Sequence, residues 1–441
     1  MRSEPTPELM FKAGLCIGCG ACGAPVALDP FGEYRPTGPA RPGFATRCPF
    51  SPAAANEDEI AAPLFSKSPK DGRLGRYRDL LVGYAPAFRA SGSSGGPVSF
   101  VLAKLLETGF VDGVAHVAPA ADGRLFAYRV SRSLEAIRQG AQSRYYPVEL
   151  SGVLDVMRRV PGRYAVVGVP CFIKAVRLAM AAEPVLRARI VATIGLVCGH
   201  GKSARLAESF AAQLGISAPD LATLSFRVKD PNRPANWYRA RATSRDGRVA
   251  EGDWWHFAEG DWGAGFFQNR ACDFCDDVMA ETADLTLGDA WVAPYTEDGR
   301  GTNVVLARAD WAVRLLADAR ASGEAVLTPV SPDLVAETQA AGLRHRREGL
   351  SWRLARYRGR VPVKKRVAPT ASELPLRRRV IYFMRYLISR QSRVVFAAAR
   401  TLGQPRLYLL WARPMLRLYQ AVAHSRGRLG ALCDRWIGPR R

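Results

Sequence analysis

The chain has 441 residues, enough for about two to four domains, and 48% of them are hydrophobic, which suffices for a sizeable core. The formal charge of +23 is not spread evenly: from Arg344 to Arg441 there are 25 Lys and Arg against three acids, while the preceding 343 residues hold 38 basic and 37 acidic side chains. The body is therefore neutral, and the excess belongs to a C-terminal segment rather than to the chemistry of the whole. No apolar run reaches the roughly 18 residues of a membrane span, and the start Met1-Arg2-Ser3-Glu4 lacks a signal-peptide core. The expectation is a cytoplasmic protein.

Residues 1–60 read as a small, loop-rich, cysteine-bearing module, dense in Gly and Pro from Gly14 to Pro52. It cannot build a core alone, so something else must hold it. A linker follows, then the strand Leu80–Tyr84. From there to about residue 340, strand-like and helix-like segments alternate. Helices are expected at Val98–Thr108, Ser133–Gln139, Leu150–Arg158, Phe172–Ala182 and Ala204–Leu214. Strands are expected at Gly113–Ala118, Arg163–Val169, Arg189–Val197, Asp284–Leu287 and Val304–Ala307. This alternation argues for an α/β, mixed α+β fold. After residue 345 the pattern changes to a basic amphipathic helix, Val380–Ala399, with Arg378, Arg385, Arg393 and Arg400 near one stripe. Pro375, Pro405 and Pro414 are expected to break this tail into pieces.

Nine cysteines in tight spacings suit metal binding or redox chemistry in that compartment. Cys16-x2-Cys19-x2-Cys22 is the most specific motif. Two-residue spacers wrap a loop around one face of a cubane cluster, and Gly18, Gly20 and Gly23 let the backbone approach and donate N–H groups to sulfur. Cys48-Pro49 is the natural fourth ligand, because a ferredoxin ligand followed by proline is a recurring pattern. The 25 residues between Cys22 and Cys48 suggest a single cluster closed by a loop. The alternative is structural zinc, which prefers paired CxxC hooks.

Cys272-Asp273-Phe274-Cys275 is a weak signal alone. Cys171 and Cys198 strengthen it, because each follows a buried strand, and the carboxyl ends of strands in an open sheet line one crevice. Four thiolates there suffice for a second [4Fe–4S] cluster. The bland alternative is that Cys171 and Cys198 are small buried hydrophobes. Cys433 has no partner. Ser91-Gly92-Ser93-Ser94-Gly95-Gly96-Pro97 precedes a helix, and its hydroxyls and N–H groups can hold a phosphate or a flavin edge. It is neither GxGxxG nor a Walker loop.

Together, Ser94-Gly95-Gly96, Val167–Lys174, Ile194–Cys198, Cys272–Cys275 and Ala283–Trp291 resemble the beta subunit family of coenzyme F-420 hydrogenases and dehydrogenases, over about residues 15 to 340. Relatives carrying the ferredoxin-like segment include 7-hydroxymethyl chlorophyll a reductase and ferredoxin-dependent divinyl reductases. The resemblance implies FAD near Ser93, Ser94, Gly95 and Gly96, and a [4Fe–4S] cluster on Cys171, Cys198, Cys272 and Cys275. It also implies that Ser143, Arg144, Tyr145, Lys174, Gly288 and Asp289 lie around the flavin. The family often shows Ser-Lys-Tyr where this chain has Ser143-Arg144-Tyr145, which keeps the charge and changes its donor array. The expected domains are an iron–sulfur module at 1–60, a flavin-loop domain at 75–160, a second-cluster domain at 161–345 and a basic tail at 346–441.

The expected function is an oxidoreductase in which electrons from a ferredoxin or another electron-transfer protein pass through two clusters to FAD and on to a substrate. Lys174, His200 and Asp289 are proton-donor candidates by location. The substrate is open among a deazaflavin coenzyme, a tetrapyrrole and a saccharide-pathway intermediate. Alternatives are an electron-transfer subunit without its own substrate site, and a basic-tailed metal-binding protein on membrane or nucleic acid. The tail alternates its bases with Ile381, Phe383, Met384, Leu387 and Ile388, which fits an anionic membrane surface, and hence the inner face of a membrane, or a partner groove better than nucleic acid. Its bland alternative is a helix packed on the body with a solvated arginine face.

Overall fold

The computed structural model describes residues 5–359, 361–370 and 374–439. The outermost residues of the expected N-terminal module and basic tail, 1–4 and 440–441, lie outside these.

The N-terminal segment is built from short pieces. Thr6 caps the helix Pro7–Lys12, the strands β1 (Val26–Leu28) and β2 (Tyr34–Pro36) pair antiparallel, and a short helix spans Phe44–Arg47. Asn56 and Glu59 form a reciprocal capping box on the helix Glu57–Leu64. A small hairpin, β3 (Lys70–Asp71) and β4 (Gly75–Arg76), leads to the main sheet.

Among the described residues the largest sheet has eight strands: β5 (Asp79–Tyr84), β6 (Gly113–Pro119), β7 (Phe126–Ser131), β8 (Tyr164–Gly168), β9 (Ile190–Leu196), β13 (Leu285–Asp289), β14 (Asn303–Ala307) and β15 (Val326–Pro329). Their spatial order is β15-β5-β14-β13-β9-β8-β6-β7. β6, β8, β9 and β13 are parallel, and β7, β14 and β15 run antiparallel to their neighbours. β5 is antiparallel to β14, so it points the same way as β13.

Side chains alternate across this sheet as the pleat requires. Leu81, Val167 and Val305 pack under the helices Pro97–Glu107 and Asp310–Ala321, with Phe100, Leu105 and Leu316. On the opposite face, Tyr164 and Val166 meet the helices Ser151–Arg159 and Pro170–Ala182. Leu80, Val82, Val304 and Leu306 meet Leu74, Val335 and Leu343.

A second sheet, β10 (Leu221–Val228), β11 (Arg239–Ser244) and β12 (Val249–Asp253), is an antiparallel meander. It shares an aromatic core with the C-terminal helices: Phe210, Phe226 and Trp254 on one side, Ile381, Ile388, Phe396 and Tyr408 on the other.

The tail therefore departs from its expected form. Its first helix spans Leu376–Thr401, and the arginine stripe turns towards the body. Arg393 is buried against Glu33 at 2.7 Å, Arg378 meets Glu348 at 2.7 Å, and Arg400 meets Glu208 at 3.1 Å. Glu33 draws Arg393 fully inwards, because a buried guanidinium needs a carboxylate partner, Glu348 holds the half-buried Arg378, and Arg400 stays exposed beside Glu208. Pro414 does not break the chain: it lies inside the helix Tyr408–His424. A last helix spans Gly427–Ile437. Among the described residues no helix is long and apolar enough to cross a membrane.

Candidate functional site

Four strands that point the same way deliver their carboxyl ends to one edge of the sheet. The serine–glycine loop follows β5, Asp289 ends β13, Cys198 follows β9 and Cys171 follows β8. The strand order makes this a line. Three strand spacings, about 14 Å, separate β5 from β9.

The first cysteine set surrounds a cavity of about 30 Å³ lined by Cys16, Cys19, Cys22, Cys48, Pro49 and apolar neighbours such as Met10 and Phe50. Gly18 and Gly20 both sit at a φ of +69°, a conformation that glycine adopts without strain. A Cβ on Gly18 would fall 2.5 Å from Tyr34 Cβ, so the loop closes tightly on β2. Burial pushes the thiols up, Cys16 to about 11 and Cys48 to about 12. Backbone N–H groups of Gly18, Ala21, Ala24 and Phe50 point at the sulfurs and counter that push. Four soft donors around a small, mostly apolar cavity, with peptide N–H groups facing the sulfurs, fit an iron–sulfur cluster.

The module docks through the same loop. The Leu150 N–H donates to the Cys19 carbonyl at 2.8 Å, and Cys19 packs with Val153, Leu154 and Phe172. Cys171 is packed against both the cluster of side chains around Cys19 and the one around Cys48 and Cys275. The two cysteine sets therefore meet at Cys19 and Cys171.

In the second set, Cys171 feels the charge of Cys198, Cys272 and Cys275, Cys198 that of Cys272 and Cys275, and Cys272 that of Cys275; burial raises Cys198 to about 12 and Cys272 to about 11. Gly201 N–H donates to Cys272 Sγ at 3.1 Å. The surrounding charge is set by Arg346, at the end of the helix Ala340–Arg346, whose guanidinium donates to the Cys272 and Gly199 carbonyls. It is fully buried beside all four sulfurs, and they hold its proton more firmly. Its Nε has no partner among the described residues. A buried cation with a spare donor next to four thiols fits an anionic cluster there. Among the described residues no group of three or more His, Cys, Asp or Glu has the spacing of a site for a single ion.

At the serine–glycine loop, Gly96 caps the helix Pro97–Glu107 at a φ of +85°. Ser94 Oγ donates to the Thr302 carbonyl at 3.1 Å, Gly95 N–H donates to Asn303 Oδ1 at 2.7 Å, and Ser143 N–H donates to Ser93 Oγ at 2.7 Å. Lys229 crosses the loop, donating at 3.0 Å to the carbonyls of both Ser94 and Arg300. Burial, with Arg89 and Arg227 nearby, lowers its pKa to about 8. Gly288 lies in β13 beside Val197, and the Gly288 carbonyl accepts from Asn303 Nδ2 at 2.9 Å.

A partly buried aromatic group connects this loop to the second cysteine set. Tyr145 and Trp262 are 4.7 Å apart by ring centres, and His200 stacks on Trp262 at 4.5 Å. Lys202 Nζ sits 4.4 Å above the Trp262 ring, and burial lowers its pKa to about 7. Asp289 is held by Arg227 at 2.8 Å. Arg144 Nε, Arg227 Nε and His200 Nε2 are buried without partners among the described residues. Three orphaned polar atoms around Tyr145 and Asp289 are what a bound polar ring system would satisfy, so these residues fit a flavin.

The structure thus gathers Ser93, Ser94, Gly95, Gly96, Ser143, Arg144, Tyr145, His200, Gly288 and Asp289 into one region. Arg144 turns its guanidinium over Phe126, at 4.8 Å from the ring centre. Lys174 is directed elsewhere: it is buried and paired with Glu57 of the N-terminal module at 3.1 Å. Arg346, Arg227, Lys229 and Trp262 escaped the sequence reading. The only local signal was the basic run Arg344–Arg347.

Comparison with known proteins gives two matching family profiles. Residues 81–155 match the coenzyme F420 hydrogenase/dehydrogenase beta subunit N-terminal region, and residues 162–333 match its C terminus. No curated protein matches the chain. Among solved structures, a chain of the F420-reducing [NiFe] hydrogenase complex from Methanosarcina barkeri is similar, with a TM-score of 0.51 and 18% identity, covering 68% of this chain and 99% of that one. That likeness concerns the fold. The paired profile matches, in order and across the sheet edge just described, show that this chain belongs to the coenzyme F420 hydrogenase/dehydrogenase beta subunit family.

Proposed function

We propose that this chain, whose family supports an electron-transferring oxidoreductase role, is an iron–sulfur flavoprotein with one [4Fe–4S] cluster on Cys16, Cys19, Cys22 and Cys48, a second on Cys171, Cys198, Cys272 and Cys275, and FAD at the serine–glycine loop. The observation that carries this reading is the meeting of two four-cysteine sets at Cys19 and Cys171, on the sheet edge that also bears the loop. When bound, clusters carry single electrons and a flavin converts between one and two.

The chain's own residues supply the rest. Thiols ligate, peptide N–H groups face sulfur, and apolar neighbours such as Met10 and Phe50 line the first cavity. Arg346 offsets the negative charge of the inner set. In this reading the loop hydroxyls and N–H groups hold the polar part of the flavin, Lys229 fixes the loop through the Ser94 and Arg300 carbonyls, and Tyr145, His200 and Trp262 flank the ring. Asp289 and His200 remain the proton-donor candidates nearest that region. The donor at the N-terminal set is a ferredoxin or another electron-transfer protein. The substrate is a deazaflavin coenzyme, a tetrapyrrole or a saccharide-pathway intermediate, to be separated by a reduction screen.

Anaerobic purification with iron, sulfide and flavin analysis tests the assignment. About eight irons, eight labile sulfides and one FAD per chain are expected. Zinc without labile sulfide would overturn it. A second reading is favoured by the similar chain belonging to a hydrogenase complex: this protein is an electron-transfer subunit with no substrate site of its own. Activity that arises only on adding a partner would select it.

A further inference from the structure

The C-terminal helices carry a second, outward pattern. Along Leu376–Thr401 the side away from the core presents Phe383, Tyr386, Arg390 and Val394, spaced three to four residues apart. The helix Tyr408–His424 presents Leu410, Arg413, Arg417 and Leu418, again at helical spacing. The last helix, Gly427–Ile437, exposes Arg428, Leu429, Leu432, Arg435 and Trp436. Leu402 at the first bend is 69% exposed, Leu410 75% and Trp436 80%. Large apolar side chains left in water to this extent, and repeated on three adjoining helices, mark an interaction surface.

Charge says what kind of surface meets it. Asp434 is the one acid from Leu376 to Ile437, and it is consumed by the buried Arg377. Arg377 also donates to the Val422 carbonyl at 2.8 Å and to Ser425 Oγ at 2.8 Å, so it clamps the three helices to each other. The arginines that bind the body are Arg378, Arg393 and Arg400. Among the described residues, the exposed Arg413, Arg417, Arg426, Arg428 and Arg435 pair with no carboxylate. Apolar tips interleaved with unpaired guanidinium groups suit a plane that is oily beneath and negative on top. The stems of Leu and Trp enter the acyl boundary while arginines stay at the phosphates. These arginines are spread over the last two helices and the turn between them instead of gathered at one pocket, which favours a fluid sheet of phosphates over a discrete acidic partner.

We propose that the helices spanning 376–437 dock this protein on an anionic lipid bilayer as a peripheral layer, with Leu402, Leu410 and Trp436 inserted and Arg413, Arg417 and Arg428 on lipid phosphates. The proposal stands on the surface alone and is independent of the cofactors.

The test is flotation of the full, cofactor-loaded chain with vesicles of phosphatidylcholine alone or mixed with phosphatidylglycerol. Binding is expected with the anionic vesicles, weakening as salt rises. R413Q and R417Q should each lower the partition coefficient about fivefold. The double variant L410S/W436S should lower it about tenfold even at low salt. All these positions are exposed, so melting temperature and cluster absorbance should match wild type, which separates lost docking from lost folding. Equal flotation on neutral and anionic vesicles would overturn the proposal, as would flotation unchanged in both sets of variants. A chain that never floats, while a cross-linked protein covers Leu410 and Trp436, would reassign the surface to a protein partner.

Discussion

Each sulfur has a neighbour that limits what can replace it. Cys48 is buried in the wall of the first cavity and Cys198 stands at the end of β9. Cys48→Ser and Cys198→Ser should each cut iron and sulfide content by about half while leaving flavin bound. A loss of all iron from one substitution would mean that the two sets load as a unit. Arg346 offers a finer readout. It is a buried cation beside four thiols, so Arg346→Ala should lower the midpoint potential of the inner cluster by on the order of 60 mV, a tenfold change in a one-electron equilibrium. Arg346→Lys should restore part of it. An unshifted potential in a redox titration followed by electron paramagnetic resonance would leave Arg346 a merely structural residue. The cysteines were legible in sequence because their spacing is local. Arg346, Arg227 and Lys229 were not, because what matters is their depth and company, which only the tertiary fold sets.

Among elements, the strands and helices of the central sheet follow their sequence pattern closely, since period-two alternation in Leu80–Val82 and Val304–Leu306 is enforced by packing on both faces. The tail was the harder case. Its arginine stripe reads as solvated, yet Arg393 is drawn inwards by Glu33, 360 residues away in sequence, and Arg378 is half-buried against Glu348. Cutting the chain near residue 345 would uncover Phe210, Phe226 and Phe267 and remove Phe396 and Tyr408 from their core. The truncated protein is expected to aggregate or to melt well below wild type, and a soluble, fully loaded truncation would contradict the packing seen. The N-terminal module has its own anchor: Glu183 joins Arg47 of that module to Arg158 of the body, the latter at 2.7 Å. Burial raises its carboxyl, but Arg158 and Arg47 outweigh this and hold its pKa below the usual range. A lowered folded value means that the stabilisation is complete above the ordinary carboxylate range and is lost as pH falls through that lowered value. Glu183→Gln should therefore loosen the module by about 1 kcal/mol at neutral pH. The difference should vanish in acid, as read by amide exchange over Phe44–Cys48.

For the whole molecule, the linear order along the sheet edge gives the proposed electron path its sequence of stations. The N-terminal set lies outermost, the inner set follows, and the serine–glycine loop is farthest along. A double variant Cys16→Ser/Cys19→Ser should keep a flavin that dithionite reduces but lose most of its reduction by ferredoxin. Equal rates with both donors would show that electrons enter elsewhere.

The pairing of Glu33 with Arg393 spans 360 residues, and both side chains are buried. A ribosome releases Glu33 long before it makes Arg393. Through most of synthesis this carboxylate therefore waits without its guanidinium. The junction between the N-terminal segment and the C-terminal helix closes only after almost the whole chain has been made, which places it among the last steps of folding.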